Sequence, residues 1–214
     1  GESAAWPARR HSGPETGTGA AAASDASEAR ITAVVDHGHL ARMRGAWKAL
    51  AARALEPNVF YDPDFVLPAV AALGQMEAFR ALLVSTDEPD GQSRLVGIFP
   101  FRLSRRWAVP LTVGEAFIHP YAMSSAPLVD PDEAEATIAA FFNWLETAPG
   151  APAAWLFRFL PQSGVLHAAL IDQGAKAGTR AELFDAYERA VLDGESLDAG
   201  RFESELGTKR LKEY

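Results

Sequence analysis

Cysteine is absent from the 214 residues. That removes disulfides, thiolate metal sites and a thiol nucleophile, while leaving the compartment open. Basic charge is also short: 20 Lys and Arg stand against 28 Asp and Glu, a formal net charge of −8. A general nucleic-acid binder needs a basic surface for the phosphate backbone, so the balance speaks against that class. No run reaches the roughly eighteen continuous apolar residues of a membrane span, and the N-terminus lacks the apolar core of a signal peptide. The expectation is therefore a soluble, cytoplasmic protein without a membrane span.

Several chemical signatures are missing too. Residues 174–178, GAKAG, carry a lysine but not the spacing or the following hydroxyl of a phosphate loop. No dinucleotide fingerprint and no GxSxG elbow occur, which leaves Ser124, Ser125 and Ser163 as polar turn residues. The five histidines form no metal framework; His37 and His39 would need partners from elsewhere in the chain, and no metal site is predicted.

What is present suits one mixed domain: 48% of the residues are hydrophobic, enough for a sizeable core. Residues 1–30 are mostly Gly, Ala, Ser, Pro and Thr and read as a flexible tail, with little to bury against their ordering entropy. Residues 31–196 form the domain. Residues 197–214 read as the start of a helix or linker that ends in charge without a stop signal.

Within the domain, residues 31–35 read as a short strand. Leu40, Met43, Trp47, Leu50 and Ala54 then recur at helical spacing, in a helix expected to stop before Pro57. Asp62 and Pro63 supply a cap and a first-turn proline for a second helix. Its buried side is expected to be Phe65, Val66, Ala69, Val70 and Leu73, with Gly74 as the stop. Strands are expected over residues 79–85, 94–103 and 107–118, in an antiparallel meander. Asp130, Pro131 and Glu133 then open a helix whose apolar face is Ile138, Phe141, Phe142 and Leu145. A strand over 154–160 follows, in the order that permits a parallel crossover. A helix over 165–174 and weak strands over 179–192 complete the reading. The fold class is α/β (α+β): a mixed sheet with central antiparallel strands, flanked by helices.

The organising stretch is residues 94–130. Pro100 removes a backbone donor inside an apolar run, which calls for an edge, a bulge or a splay between neighbours. Arg102, Arg105 and Arg106 make a basic patch able to hold a phosphate or carboxylate, or simply to solvate a turn. Glu115 and His119 stand close enough in sequence to meet as an acid and a base; the alternative is a solvated Glu and a turn His. Tyr121 offers aromatic area and a hydroxyl. With Glu115 and His119 it makes the candidate acceptor-binding set, unless Phe117 and Tyr121 merely cover the sheet end while His119 faces water.

The runs WKALAARALEPNVFYDPDFVLPAV from Trp47, RLVGIFPFRL from Arg94 and YAMSSAPLVD from Tyr121 resemble acyltransferases of the GNAT superfamily. They are those described as CelD-like or BioF2-like, related to the FemAB aminoacyltransferases. Asn58, Phe60, Pro63, Phe65, Gly97, Pro100, Pro127, Leu128 and Asp130 carry the resemblance, which spans about residues 40–214. It implies two tandem GNAT-like halves, of which this chain matches the first. The acyl-CoA (acetyl-CoA) features of such proteins lie chiefly in the second half. No cofactor site or catalytic base is thus carried onto this chain. The implied function is the N-terminal half of an N-acyltransferase, shaping a groove for a small-molecule, saccharide or peptide acceptor. The alternative is a non-catalytic binding or scaffolding module.

Overall fold

The computed structural model describes residues 29–105, 111–186 and 188. Residues 1–28 of the tail expected over 1–30, Arg106 and Trp107, and the terminal stretch over 197–214 lie outside the described residues. Ala29 is buried, and Arg30, assigned above to the tail, already belongs to a strand.

The strands are β1 (Arg30–Asp36), β2 (Arg80–Asp87), β3 (Ser93–Arg105), β4 (Thr112–Ala116), β5 (Leu128–Val129) and β6 (Ala154–Leu156). They form a mixed sheet of order β1-β2-β3-β4-β6, with β5 pairing β3 beyond the end of β4. All pairings are antiparallel except β4 with β6, which run parallel as the crossover expectation required. The sixth strand is shorter than the run 154–160, because the chain leaves the sheet after Leu156 and Phe159 takes a φ of 54°.

Pro100 explains the long edge of β3. On one side β3 pairs β2 from Ser93 to Phe101; on the other it pairs β5 at Gly97 and Ile98, then β4 from Phe101 onward. Pro100 falls in the gap between them. Its carbonyl accepts Phe117 N–H at 2.8 Å on that side. The amide and carbonyl of a strand residue point the same way, so the missing donor faces the gap rather than β2.

Helices cover both faces. α1 (His37–Arg42), α2 (Arg44–Arg53) and α3 (Pro63–Ala72) lie on one side, where Leu40, Trp47, Leu50, Val66 and Val70 pack with Val35, Leu83, Ile98 and Phe117. α4 (Ala134–Thr147) and α5 (Val165–Lys176) lie on the other, packing Ile138, Phe141, Leu166 and Leu170 with Leu82, Val84, Phe99 and Phe101. Each such buried side chain contributes roughly 1.5–3 kcal/mol relative to exposure. Gly97 sits beneath α4: a Cβ there would lie 2.6 Å from Thr137 Cγ2.

The helix expected from Leu40 to Ala54 is two helices, broken at Met43 (φ −91°, ψ 9°), yet its predicted face is buried or half-buried as read. Asp62 caps α3 by accepting Asp64 N–H at 2.7 Å. Gly74 (φ 65°) closes it, with Gln75 N–H donating to Val70 O and Gly74 N–H to Ala71 O, the paired bonds of a left-handed helix stop. On this helix Leu67 is buried in place of Leu73, which is the cap residue and lies exposed. α4 is entered through a single 3-10 turn, Pro131–Glu133, capped by Asp130. The Glu133 carboxylate, expected to help open this helix, lies 3.6 Å from Arg94.

This compact unit closes at Thr179, and a second begins at Arg180. In the second, residues 180–186 carry no regular structure. The strands expected over 179–192 do not form in that described part: Leu183 and Phe184 are adjacent instead of alternating, so a strand there would have no apolar face.

Candidate functional site at the carboxyl end of β4

β4 and β6 lie side by side with Val113 opposite Ala154, Gly114 opposite Trp155 and Glu115 opposite Leu156. Their carboxyl ends therefore open at the same end of the sheet, the position where parallel strands of α/β proteins receive ligands. From there residues 117–127 leave the line of β4 and return as β5 on the same edge of β3. The excursion is pinned at both legs. Tyr61 Oη donates to Phe117 O at 2.7 Å and Asn58 Nδ2 donates to Ala126 O at 2.7 Å, both from the turn that precedes α3. Ser125 Oγ donates to Arg158 O, tying the returning leg to the chain beyond β6. Burial pushes the Tyr61 phenol far up, so it stays a neutral donor.

Two of the predicted residues meet across β3 and β4. Arg102 donates Nε (3.1 Å) and Nη2 (2.9 Å) to Glu115 Oε2, and Ser104 Oγ donates to Oε1 at 2.8 Å. Glu115 is buried, not solvated, with 4% exposure. Burial pulls its pKa upward, but the bonds from Ser104 and Arg102 prevail and hold it below the ordinary carboxylate value. Arg102 is thus committed to an internal anion. Arg105 stands exposed at the end of β3.

The other two meet inside the excursion. Residues 119–122 form a turn in which Ala122 N–H donates to His119 O at 2.9 Å and Tyr121 N–H donates to His119 Nδ1 at 3.2 Å. Pro120 fits the second position of such a turn. The His119 ring stacks on Phe65 of α3 (centroids 5.7 Å, planes 22° apart), with Phe117 and Tyr121 tilted against it. Its exposure is 5%, so it faces the protein and not water. Tyr121 is 69% exposed, and Met123 of the same excursion is also exposed. Phe60 meets Phe65 edge-on, extending the aromatic row beneath it.

Asn58, Tyr61 and Phe65 are the residues that sequence reasoning did not place in the site. Their signal was the polar and aromatic density of NVFYDPDF around a helix start. A second cluster lies apart in role: Asp130 is fully buried and accepts from Arg53 Nε at 2.8 Å and from Arg94. Burial raises its pKa, yet the Arg53 bond, the Asp132 amide and the two guanidinium charges bring the net value down. Asp132, Glu133 and Glu135 crowd the same helix start, which opposes an added anion there. At the start of α5 the carboxylate already present is Glu56, whose Oε1 accepts Leu166 N–H at 2.9 Å.

Among the described residues no group of three or more His, Asp or Glu is placed to hold a metal, and no helix is long and apolar enough to cross a membrane. Comparison with protein-family models, curated proteins and solved structures gives no match to this chain.

Proposed function

We propose that this chain is the N-terminal half of a cytoplasmic GNAT-type N-acyltransferase, shaping the acceptor groove for an acyl-CoA site held in a second half. The observation that carries the reading is the parallel pair β4 and β6 set into an otherwise antiparallel sheet, with the excursion 117–127 at its carboxyl end. Tyr121, exposed and aromatic, is the contact offered to a small-molecule, saccharide or peptide acceptor, and His119 holds the turn that presents it. Glu115 fixes the strand ends below. In this division of labour the acyl chemistry belongs to the second half, and residues of this chain orient the acceptor.

The alternative, a non-catalytic binding or scaffolding module, draws on a different observation. Glu115 is already neutralised by Arg102, and the starts of α4 and α5 already hold carboxylates, so the most suitable acid and the most suitable anion cradles are occupied from within. The two readings separate in one experiment. A protein comprising both halves is assayed for release of free CoA thiol from acetyl-CoA, beside this chain alone titrated with acetyl-CoA. The proposal expects turnover by the two-half protein, with binding to this chain alone weaker than about 10 μM, or roughly −7 kcal/mol. A tight saturable site on this chain, or a two-half protein inert toward all three acceptor classes, counts against it.

A further inference from the structure

His119 Nδ1 accepts a hydrogen bond from the Tyr121 amide, so in the neutral ring the hydrogen sits on Nε2. That Nε2 is buried and has no hydrogen-bond partner among the described residues. The ring is held by Phe65, Phe117 and Tyr121, with aromatic faces and edges around it. This arrangement tolerates only the neutral imidazole. A second proton would have to go on Nδ1, where it would confront the Tyr121 N–H and convert an acceptor into a second donor. The cation would then be left with two N–H groups and no acceptor. Stacking on Phe65 offers an imidazolium some cation–π attraction, but a ring face accepts neither proton in the plane of the imidazole.

We propose that His119 is a protonation latch on residues 117–124: neutral it closes the excursion against α3, and protonated it releases it. Opening uncovers the apolar rings of Phe65 and Phe117 at the carboxyl end of β4. Mildly acidic conditions thus increase the exposure of Phe65, half-buried in the closed form, and of Phe117, which is fully buried there. The latch depends on the turn and on the buried aromatic surroundings of the ring, and it stands whether or not the chain takes part in acyl transfer.

The ionisable groups on the surrounding elements do not offset this. Asp64 at the start of α3 is bound by Arg44 and Lys48, and Asp62 caps that helix. Glu115 on β4 is paired with Arg102 of β3. Tyr61, before α3, donates its hydrogen bond to Phe117 O, and His37 of α1 lies edge-on to Phe79, one ring beyond Phe117. Burial is what lowers the proton affinity of His119 below the ordinary histidine value of 6.5. The sign follows. Between the closed-state pKa and the open-state value near 6.5, the open form binds more protons. The closed form therefore loses ground as pH falls through that window, by about tenfold in population per pH unit, and the effect levels off below the closed-state pKa.

The test is an NMR titration of the chain from pH 7.5 to 5.0, following the His119 ring signals together with exchange of the Tyr121 and Ala122 amides. His119→Asn is the comparison, since an Asn oxygen can accept the i+2 amide without titrating in this range. Expected in the wild type is a His119 pKa below 6.5. Exchange at Tyr121 and Ala122, corrected for intrinsic rates, should accelerate about tenfold per pH unit in the window. In His119→Asn the two amides should show no such acceleration. A wild-type pKa at or above 6.5, unchanged protection at pH 5.0, or equal acceleration in both proteins overturns the latch. If His119→Asn fails to fold, the wild-type titration decides alone.

Discussion

Glu56 reaches from the segment between α2 and α3 to the first turn of α5, where its Oε1 accepts Leu166 N–H at 2.9 Å. Gly164 makes room for it: a Cβ at that position would lie 2.0 Å from the same oxygen. A remote side chain thus does the work of a helix cap and ties the two faces of the sheet together.

Glu56→Ala should therefore destabilise the chain by about 1 kcal/mol in urea unfolding. Gly164→Ala should cost at least as much, because the methyl group expels the carboxylate. In the Glu56→Ala background, Gly164→Ala should have little further effect. Additive losses would show that the two positions do not share one interaction.

Arg102 and Glu115 make a partly buried pair, with side-chain exposures of 38% and 5%. Arg102→Met should cost about 1–3 kcal/mol at pH 7, because it leaves a buried carboxylate short of donors. Solvent around the half-exposed guanidinium keeps the loss toward the lower end. Glu115 is held below its ordinary value of 4.5, so its ionised form stabilises the native state above that pH, and the contribution is lost as pH falls through the folded value. The deficit of Arg102→Met should shrink accordingly between pH 5 and pH 3. Unfolding curves at several pH values check both the size and the direction.

Gly97 and Thr137 report on the contact between α4 and the sheet. A Cβ at Gly97 would stand 2.6 Å from Thr137 Cγ2 and 3.1 Å from Val84 side-chain atoms. Gly97→Ala should lower stability by about 1–3 kcal/mol through overpacking. Thr137→Ser, which removes the nearer methyl group, should restore part of that loss in the double variant. The unfolding midpoints of the four proteins are the measurement.

Much of the fold was legible because it rests on local signals. The Asp62–Pro63 and Asp130–Pro131 helix starts, the Gly74 stop, the central meander and the parallel strand at Trp155 each follow from capping chemistry or apolar runs. The break at Met43 was not legible, since the apolar spacing continues through it unchanged. The site was legible as a region but not as a set of contacts. Glu115 and His119 are four residues apart, yet the strand register hands Glu115 to Arg102, and the turn hands His119 to Tyr121 and Phe65. Phe65 and His119 lie far apart in sequence, as do Glu56 and Leu166, and only the tertiary arrangement brings each pair together.

The burial of His119 shifts the decisive test of function onto Tyr121, because truncating the histidine would disturb the turn as well as any contact with an acceptor. Tyr121→Ala, at a side chain 69% exposed, should leave the unfolding free energy within about 0.5 kcal/mol of wild type. In a protein comprising both halves, kcat/KM for the acceptor should fall at least about tenfold, near 1.4 kcal/mol of transition-state binding, with the acetyl-CoA dependence unchanged. An unaltered kcat/KM for the acceptor in a fully folded Tyr121→Ala protein would contradict the placement of the acceptor groove at the carboxyl end of β4.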